Sequence, residues 1–278
     1  MIDANKKADD FHALHVPGRP FVLFNIWDAG TAKAVAASGA WAIATGSWSV
    51  AAANGFSDGE DVPLDLAIDN LARIARATAL PVTVDIESGY GRTADAVGRT
   101  IARTIEAGAI GCNLEDSFPE SGKLRDIAEQ SERIRQARRA AEAAGLRYFI
   151  NARTDVFFQE PAEGNDEAML AAAIELGRAY ADAGADGLFA PGLTDQATMA
   201  RLAQASSLPV NIMVDDRTPG LDRLADAGVA RVSHGPRPYG AMMKALEELA
   251  RTAARHCLDF VPFCPNSGKM VQFGMPAD

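Results

Sequence analysis

The chain has 278 residues, with 27 Lys and Arg against 37 Asp and Glu and a formal net charge of -10. Hydrophobic residues make up 48% and charged residues 23%, which is ordinary for a soluble globular protein and allows a sizeable core. The acidic balance argues against a nucleic-acid partner or an anionic membrane surface, because both need a clustered basic patch.

The N-terminal residues show no apolar core of a secretory signal, and no apolar run approaches the roughly 18 residues of a membrane span. The three cysteines, Cys112, Cys257 and Cys264, are an odd number without the spacing of a disulfide framework or a zinc site. We therefore expect reduced thiols and a cytoplasmic location, with Cys112 buried as a small core residue.

Short apolar runs typical of buried parallel strands alternate with Ala-rich amphipathic segments along the chain. The predicted strands are 21–28, 41–47, 81–87, 111–116, 148–155, 187–192, 209–214 and 230–235. Between them, segments such as 64–77 and 93–108 carry apolar residues at helical spacing. The strand–helix rhythm without an interdomain linker predicts a (β/α)8 TIM barrel rather than a doubly wound open sheet. We expect one barrel domain over 1–278, in which 239–278 form a last helix and a tail.

Polar residues gather where the predicted strands end, which is where the active sites of such barrels lie. Asp85 and Glu87 share one face of a strand, and Glu115 follows at the equivalent height of the next strand. Converging carboxylates repel one another unless a cation or protons intervene. Because the set contains no His or Cys, it predicts Mg²⁺ or Mn²⁺ rather than zinc. The alternative is that these acids cap helices or pair with arginines.

Two neighbouring features predict an anion site. Arg153 is suited to bidentate binding of a carboxylate or phosphonate, although it could instead pair with Glu115 or Asp155. The Gly46-Ser47-Trp48 turn offers successive backbone N–H groups that can hold an anion. We add Asn211, on predicted strand seven, as a candidate substrate-binding residue. Together these features favour a small 2-oxo or 2-hydroxy acid as the substrate.

The strand ends resemble those of the isocitrate lyase/phosphoenolpyruvate mutase superfamily. The matching stretches, in the expected order, are Asn25-x-Trp-Asp, Gly46-Ser47-Trp48-Ser49-Val50, Asp58, Asp85-x-Glu87-x-Gly89-Tyr90-Gly91, Leu114-Glu115-Asp116 and Asn151-Ala152-Arg153-Thr154-Asp155. The resemblance implies a Mg²⁺-dependent enzyme that makes or breaks a C–C or P–C bond next to a 2-oxo acid, through a pyruvate enolate. It also implies homodimers that exchange their last helix, near 239–256, and pair into homotetramers.

The resemblance also implies a role for each matching residue. Asp85 would bind the metal directly, and the metal's water ligands would be held by Asp58, Glu87 and Glu115. The substrate carboxylate would be held by Gly46, Ser47, Trp48 and Arg153.

The loop after strand four departs from the family pattern. Residues 117–127 lack the Cys and His of the Lys-Lys/Arg-Cys-Gly-His loop of isocitrate and methylisocitrate lyases, which argues against those two activities. The loop Asn of the phosphonate-handling members and their His after strand six are also missing. The prediction is therefore a lyase acting on a small 2-oxo or 2-hydroxy dicarboxylic acid, with a phosphonomutase or phosphonopyruvate hydrolase as the alternative. The acid/base is not identified; Tyr90, Ser121 and Lys123 are candidates.

Three other classes of protein match single features of the sequence. Gly89-Tyr-Gly91-Arg-Thr-Ala94 matches a dinucleotide-binding pattern, but Asp85 and Glu87 just before it would repel a pyrophosphate. A Schiff-base aldolase needs a lysine inside the barrel, and none lies on a predicted strand. A catalytically silent barrel acting as a binding protein stays open, although uncompensated acids would destabilise it for no gain.

Overall fold

The computed structural model describes residues 2–159 and 167–255. Within them, one sheet contains nine parallel strands. They are β1 (Phe21–Leu23), β2 (Asn25–Ile26), β3 (Ile43–Thr45), β4 (Val82–Asp85), β5 (Gly111–Glu115), β6 (Phe149–Arg153), β7 (Gly187–Phe189), β8 (Val210–Met213) and β9 (Arg231–Ser233). Each predicted strand contains an observed one.

The ring closes through the first predicted strand, which is split in two at Phe24. β1 pairs with β9, whereas β2 pairs with β3, and both pairings are parallel. The Asn25 side chain reinforces this closure, because its Oδ1 accepts the N–H groups of His234 and Gly235, each at 2.9 Å. Its Nδ2 donates to the Thr45 carbonyl at 3.1 Å. The predicted (β/α)8 barrel is confirmed.

The described residues also form ten helices. They are α1 (Ile2–Leu14), α2 (Ala29–Ala37), α3 (Ser47–Ala53), α4 (Leu64–Ala77), α5 (Ala94–Glu106), α6 (Ile127–Ala143), α7 (Glu167–Asp182), α8 (Gln196–Ala205), α9 (Leu221–Asp226) and α10 (Arg237–Arg255), with a 3-10 turn at Val156–Phe158. α4 coincides with the predicted helix at 64–77, and α5 lies inside the predicted 93–108. None of the described helices combines the length and hydropathy that a membrane crossing needs. Cys112 is fully buried, as predicted.

The amino ends of the strands are covered by α1, which the sequence reading did not predict. Phe11 and His15 pack there against Phe21 and Phe149, the first residues of β1 and β6; these four residues are called the barrel floor. The His15 ring stacks on Phe149 with centroids 4.0 Å apart, and its Nδ1 lies 2.8 Å from the Phe11 carbonyl oxygen. Burial and the charge of Arg231 lower the pKa of His15 to about 2. The floor therefore holds a neutral imidazole inside an aromatic cluster.

By internal contacts the chain divides into Met1–Tyr239 and Gly240–Asp278. The described part of the second unit belongs to α10, in which Met242, Leu246 and Leu249 are 53%, 57% and 60% exposed. The last residue of the predicted helix at 239–256 and the tail, with Cys257 and Cys264, lie outside the described residues.

Candidate active site

A small cavity of about 160 Å³ lies at the carboxyl ends of the strands. It is lined by Asn25, Gly46, Ser47, Trp48, Asp58, Asp85, Asn113, Arg153, Phe189, Met213, Ser233, Gly235 and Pro236. Six of the predicted site residues therefore meet at one cavity, and the remaining three, Glu87, Glu115 and Asn211, lie outside its wall. The volume is below that of drug-sized pockets and suits a small acid.

Asp85 ends β4, and its backbone and side chain are both fixed by hydrogen bonds. Its N–H donates to Thr45 Oγ1 on the neighbouring strand at 2.9 Å. Its Oδ1 accepts the Glu87 N–H at 3.1 Å, so the carboxylate is oriented by the turn that follows the strand.

Glu87 lies in that turn and is only 3% exposed. Its Oε2 accepts the N–H groups of Gly59 and Glu60 at 2.8 and 2.7 Å, which ties the turn to the loop after α3. Its backbone φ of 52° is in the left-handed region, a strained conformation that clusters at functional sites. Burial and the nearby Asp58 and Asp85 raise the pKa of Glu87 to about 8.

Asp58 joins Asp85 on the cavity wall from the loop between α3 and α4. Its side chain reaches the surface, yet partial loss of water and the charge of Asp85 raise its pKa, while a hydrogen bond from Ser47 opposes the rise. The cavity mouth therefore holds carboxylates that repel one another, a pattern that a cation would relieve.

The described residues contain no group of three or more His, Cys, Asp or Glu side chains that could hold a metal ion together. The donor chemistry nevertheless fits Mg²⁺, which commonly takes one or two carboxylates and keeps several waters. Asp85 and Asp58 supply such oxygens at the wall.

Arg153, the last residue of β6, lines the cavity and also pairs with two acids. Its Nη1 lies 2.7 Å from Glu115 Oε2, and its Nε and Nη2 donate to Asp155 at 2.6 and 3.0 Å. Both pairings that the sequence left open thus form. Burial raises the pKa of Glu115 and the charge of Arg153 opposes that rise. The pair of acids fixes the guanidinium at the wall.

The predicted nest of N–H groups is the start of α3. The Gly46 N–H donates to the Ile26 carbonyl at 3.2 Å, so it is already engaged. Ser47 and Trp48 are the first two helical residues, whose N–H groups have no acceptor inside a helix. The backbone N–H groups at this wall that lack an intrahelical acceptor are therefore those of Ser47 and Trp48.

Asn211 on β8 is buried behind the wall. Its Nδ2 donates to Ser233 Oγ at 3.0 Å, and its Oδ1 accepts the Ser233 hydroxyl in a 2.8 Å contact. Ser233 is the member of this pair that lines the cavity. Ser233 lies in the predicted strand 230–235 but was not among the predicted site residues.

A hydrogen-bond network around the turn that carries Glu87 was also not predicted. Glu60 Oε1 accepts the Ser88 hydroxyl at 2.7 Å and the Tyr90 N–H at 2.8 Å. Arg133 is fully buried on α6 and donates to the carbonyls of Ser88 and Gly91. The arginines of 133–139 recur at helical spacing, but nothing in one sequence shows that one of them supports the loop that carries Glu87.

The loop at 117–127 forms a short hairpin beside the mouth, with an antiparallel bridge between Ser117 and Leu124. Ser121 and Lys123 are exposed, and Tyr90 donates its hydroxyl to Glu87 Oε1 at 3.4 Å. None of these three candidate proton donors lines the cavity described above. Burial raises the pKa of Tyr90, so it keeps its phenolic proton.

Comparison with known proteins points to one family. The model of the phosphoenolpyruvate phosphomutase family matches residues 11–254. An uncharacterized protein of Mycobacterium tuberculosis (strain H37Rv) is 37% identical over 251 residues, which is 88% of each chain. A solved structure from Burkholderia cenocepacia J2315, provisionally named a phosphonomutase, is 57% identical with a TM-score of 0.88, covering 90% of this chain and 99% of that one.

Characterised activities occur among more distant relatives. The 2-methylisocitrate lyase of Escherichia coli K12 is 32% identical over 195 residues, which is 67% of this chain and 63% of the lyase. At 20% identity and a TM-score of 0.79, a structure of phosphonopyruvate hydrolase with oxalate and Mg²⁺ shares the fold, with 91% of this chain and 90% of that chain covered. Lyases, mutases and hydrolases therefore share this barrel.

Proposed function

The chain belongs to the phosphoenolpyruvate phosphomutase family, and from that premise we propose that it is a Mg²⁺-dependent lyase. The substrate class is a small 2-oxo or 2-hydroxy dicarboxylic acid, cleaved or decarboxylated through a pyruvate enolate. The observation that carries the proposal is the meeting of Asp58 and Asp85 with the start of α3 and Arg153 around one cavity of about 160 Å³. Carboxylates that can serve Mg²⁺, together with groups that can bind an anion, suit a chelating 2-oxo acid.

In this proposal Asp85 is the direct ligand of Mg²⁺, and Asp58, Glu87 and Glu115 orient the ion's water ligands. When bound, Mg²⁺ supplies a Lewis acid beside the 2-oxo group, where negative charge develops as the bond breaks. The phosphonopyruvate hydrolase of this fold, which binds Mg²⁺ and oxalate, supports the choice of ion.

The chain's own residues bind and orient the substrate. The N–H groups of Ser47 and Trp48 donate to the substrate carboxylate, and preorganised donors of this kind stabilise a developing oxyanion. Arg153 is held at the wall by Asp155 and Glu115, so little side-chain freedom is lost when it meets an anion. Phe189 and Met213 add apolar surface to the cavity wall. Asn211 then acts through Ser233 rather than by touching the substrate.

A second candidate function is P–C bond chemistry, as in a phosphonomutase or phosphonopyruvate hydrolase. The observation that favours it is the 57% identity to the provisionally named phosphonomutase. Against it, Arg153 is the one cation that the described residues place on the cavity wall, and it already pairs with two acids. A phosphonate dianion needs more positive charge than that wall offers.

Methylisocitrate lyase activity is a further possibility that the sequence argues against. The loop at 117–127 has neither Cys nor His, whereas the relatives of about 30% identity include 2-methylisocitrate lyases. We keep the exclusion as a prediction, together with the cytoplasmic location. We also propose a homodimer or homotetramer that exchanges α10, because the exposed Met242, Leu246 and Leu249 give that helix an apolar side.

The test is a panel assay on oxaloacetate, phosphonopyruvate, 2-methylisocitrate and alkylmalates, with Mg²⁺ or with a chelator. It detects pyruvate and, where phosphonopyruvate is the substrate, also phosphoenolpyruvate, the product of a mutase. Mg²⁺-dependent pyruvate release from a dicarboxylate, oxaloacetate or an alkylmalate, supports the proposal. Turnover of phosphonopyruvate alone would transfer the assignment to the second candidate. A silent binding barrel would show no turnover on any compound. If, in addition, Mg²⁺ and oxalate did not raise the melting temperature, the protein would not bind small dicarboxylates at all.

A further inference from the structure

Asn113 is a cavity residue that neither the sequence reading nor the family resemblance assigned. It lies in the middle of β5, two positions before Glu115, and pairs in register with Asp85 on β4 and Asn151 on β6. It is 4% exposed and lines the same cavity as Asp85 and Arg153. Its side chain therefore points into the barrel beneath the charged mouth.

The orientation of the Asn113 amide is fixed by its neighbours. Its Oδ1 accepts hydrogen bonds from Asn151 Nδ2 at 2.9 Å and from Arg231 Nη2 at 3.2 Å. A guanidinium can only donate, so the Asn113 atom that faces Arg231 must be the carbonyl oxygen. The NH₂ group is thereby turned to the other side of the amide.

That NH₂ group is the part of Asn113 left to meet a ligand. Both lone-pair directions of Oδ1 are used by Asn151 and Arg231, whereas no described residue accepts a hydrogen bond from Nδ2. Asn113 Nδ2 is also not among the fully buried atoms that lack a partner, a set that includes Nε and Nη1 of Arg231. The amide donors are thus accessible from the cavity.

We infer that Asn113 is a substrate-binding residue, which donates a hydrogen bond from Nδ2 to an anionic oxygen of the 2-oxo acid. This rests on the proposed function, because it names a further contact of the same site. Arg231 and Asn151 are positioning residues, since they act by holding the Asn113 amide with its donors toward the ligand. Gly187 leaves room for this row, as a Cβ there would come within 2.6 Å of Asn151 Oδ1.

Two substitutions of similar size should differ in thermal stability but share a loss of oxalate affinity. Asn113→Asp keeps an acceptor for Asn151 and Arg231 but replaces the donor with a second acceptor, so the fold should persist. Asn113→Leu removes the donor without adding charge, and leaves the buried Arg231 without its acceptor, so a lower melting temperature is expected. Both changes should weaken oxalate binding about tenfold or more, the usual size of one hydrogen bond to a charged group.

The experiment is calorimetric titration of oxalate into wild type and both variants at saturating Mg²⁺, with melting temperatures measured in parallel. Weaker binding by both folded variants supports the inference. If wild type binds and Asn113→Leu binds equally well, a loss in Asn113→Asp reflects charge alone and the inference falls. If Asn113→Leu does not fold, Asn113→Ala, which likewise removes the donor without adding charge, takes its place: a loss of about tenfold in oxalate affinity supports the inference, and wild-type affinity overturns it. If wild type binds no oxalate, the proposed function itself fails. If wild type binds oxalate and the variants bind it equally well, only the inference about Asn113 fails.

Discussion

The two ends of the barrel interior treat ionisable groups in opposite ways. At the mouth, Asp58, Asp85 and Glu87 are held close enough that two of their pKa values are raised, and Glu87 adopts a strained backbone conformation. At the floor, His15 is kept neutral inside a cluster of Phe side chains. Of these two regions, the mouth is the one whose carboxylates an added cation would stabilise, which is why we propose that the ligand binds there.

The largest effect should follow from removing one mouth carboxylate. Asp85→Asn deletes the proposed direct metal ligand without changing the side-chain volume, so turnover should fall about 1,000-fold or more, as expected for loss of a Lewis acid worth several kcal/mol. Without Mg²⁺ the variant should melt at or above the wild-type temperature, because a repulsive charge is gone. Steady-state assays and thermal melts with and without Mg²⁺ measure both.

Asp65→Asn is the matched control, since this acid lies on α4 with 87% of its side chain exposed. It should leave both turnover and the Mg²⁺-dependent rise in melting temperature unchanged. Full metal-dependent turnover in Asp85→Asn would remove Asp85 from the site.

At the floor, a substitution should lower stability without weakening oxalate binding. Phe11→Ala empties a fully buried position whose ring contacts His15, Phe21 and Phe149 edge-on, and should cost about 3–5 kcal/mol of unfolding free energy. Denaturant melts give that loss, and the folded fraction should keep the wild-type affinity for oxalate. Trp41→Ala, at a position 72% exposed, is the control and should change stability little. Stability unchanged in Phe11→Ala would contradict the role given to α1.

The mouth of the barrel could be predicted from the sequence better than its floor. The strand positions and the acids at their ends were predicted, because burial of parallel strands and the period of two leave a local pattern. α1 was missed because its one fully buried large side chain, Phe11, stands among charged residues and gives little helical periodicity. Asn113 lies two residues before Glu115 and therefore faces the same side of the strand. Its role depends on the contact with Arg231, which is far away in sequence and cannot be predicted from spacing. The pairing of Arg153 with both acids likewise depends on distances that spacing alone does not give.

A smaller effect is expected at the edge of the mouth. Arg153→Lys cannot keep the bidentate contact with Asp155 and also present a planar fork to a substrate carboxylate. The KM for the carboxylate substrate should rise by about 10- to 100-fold, corresponding to one or two charge-assisted hydrogen bonds. Initial-rate measurements over a range of substrate concentrations give the KM and kcat separately. An unchanged KM would remove Arg153 from substrate binding.

The smallest effect tests the floor through pH. The folded-state pKa of His15, about 2, lies below the value of about 6.5 expected in the unfolded chain. The unfolded state therefore binds more protons below pH 6.5, and the stability that a neutral His15 provides is lost progressively as pH falls from there toward 2. Between pH 7 and 5.5 the expected loss is about 1 kcal/mol.

His15→Asn isolates this contribution, because an Asn can still donate to the Phe11 carbonyl but does not titrate. The variant should be less stable at pH 7, since its side chain fills less of the cluster, and its unfolding free energy should depend less steeply on pH than that of wild type. Urea melts at four pH values from 7 to 5.5 measure the two slopes. Equal slopes for wild type and His15→Asn would mean that His15 accepts a proton in the folded protein. The floor would then not exclude charge, and the contrast with the mouth would not hold.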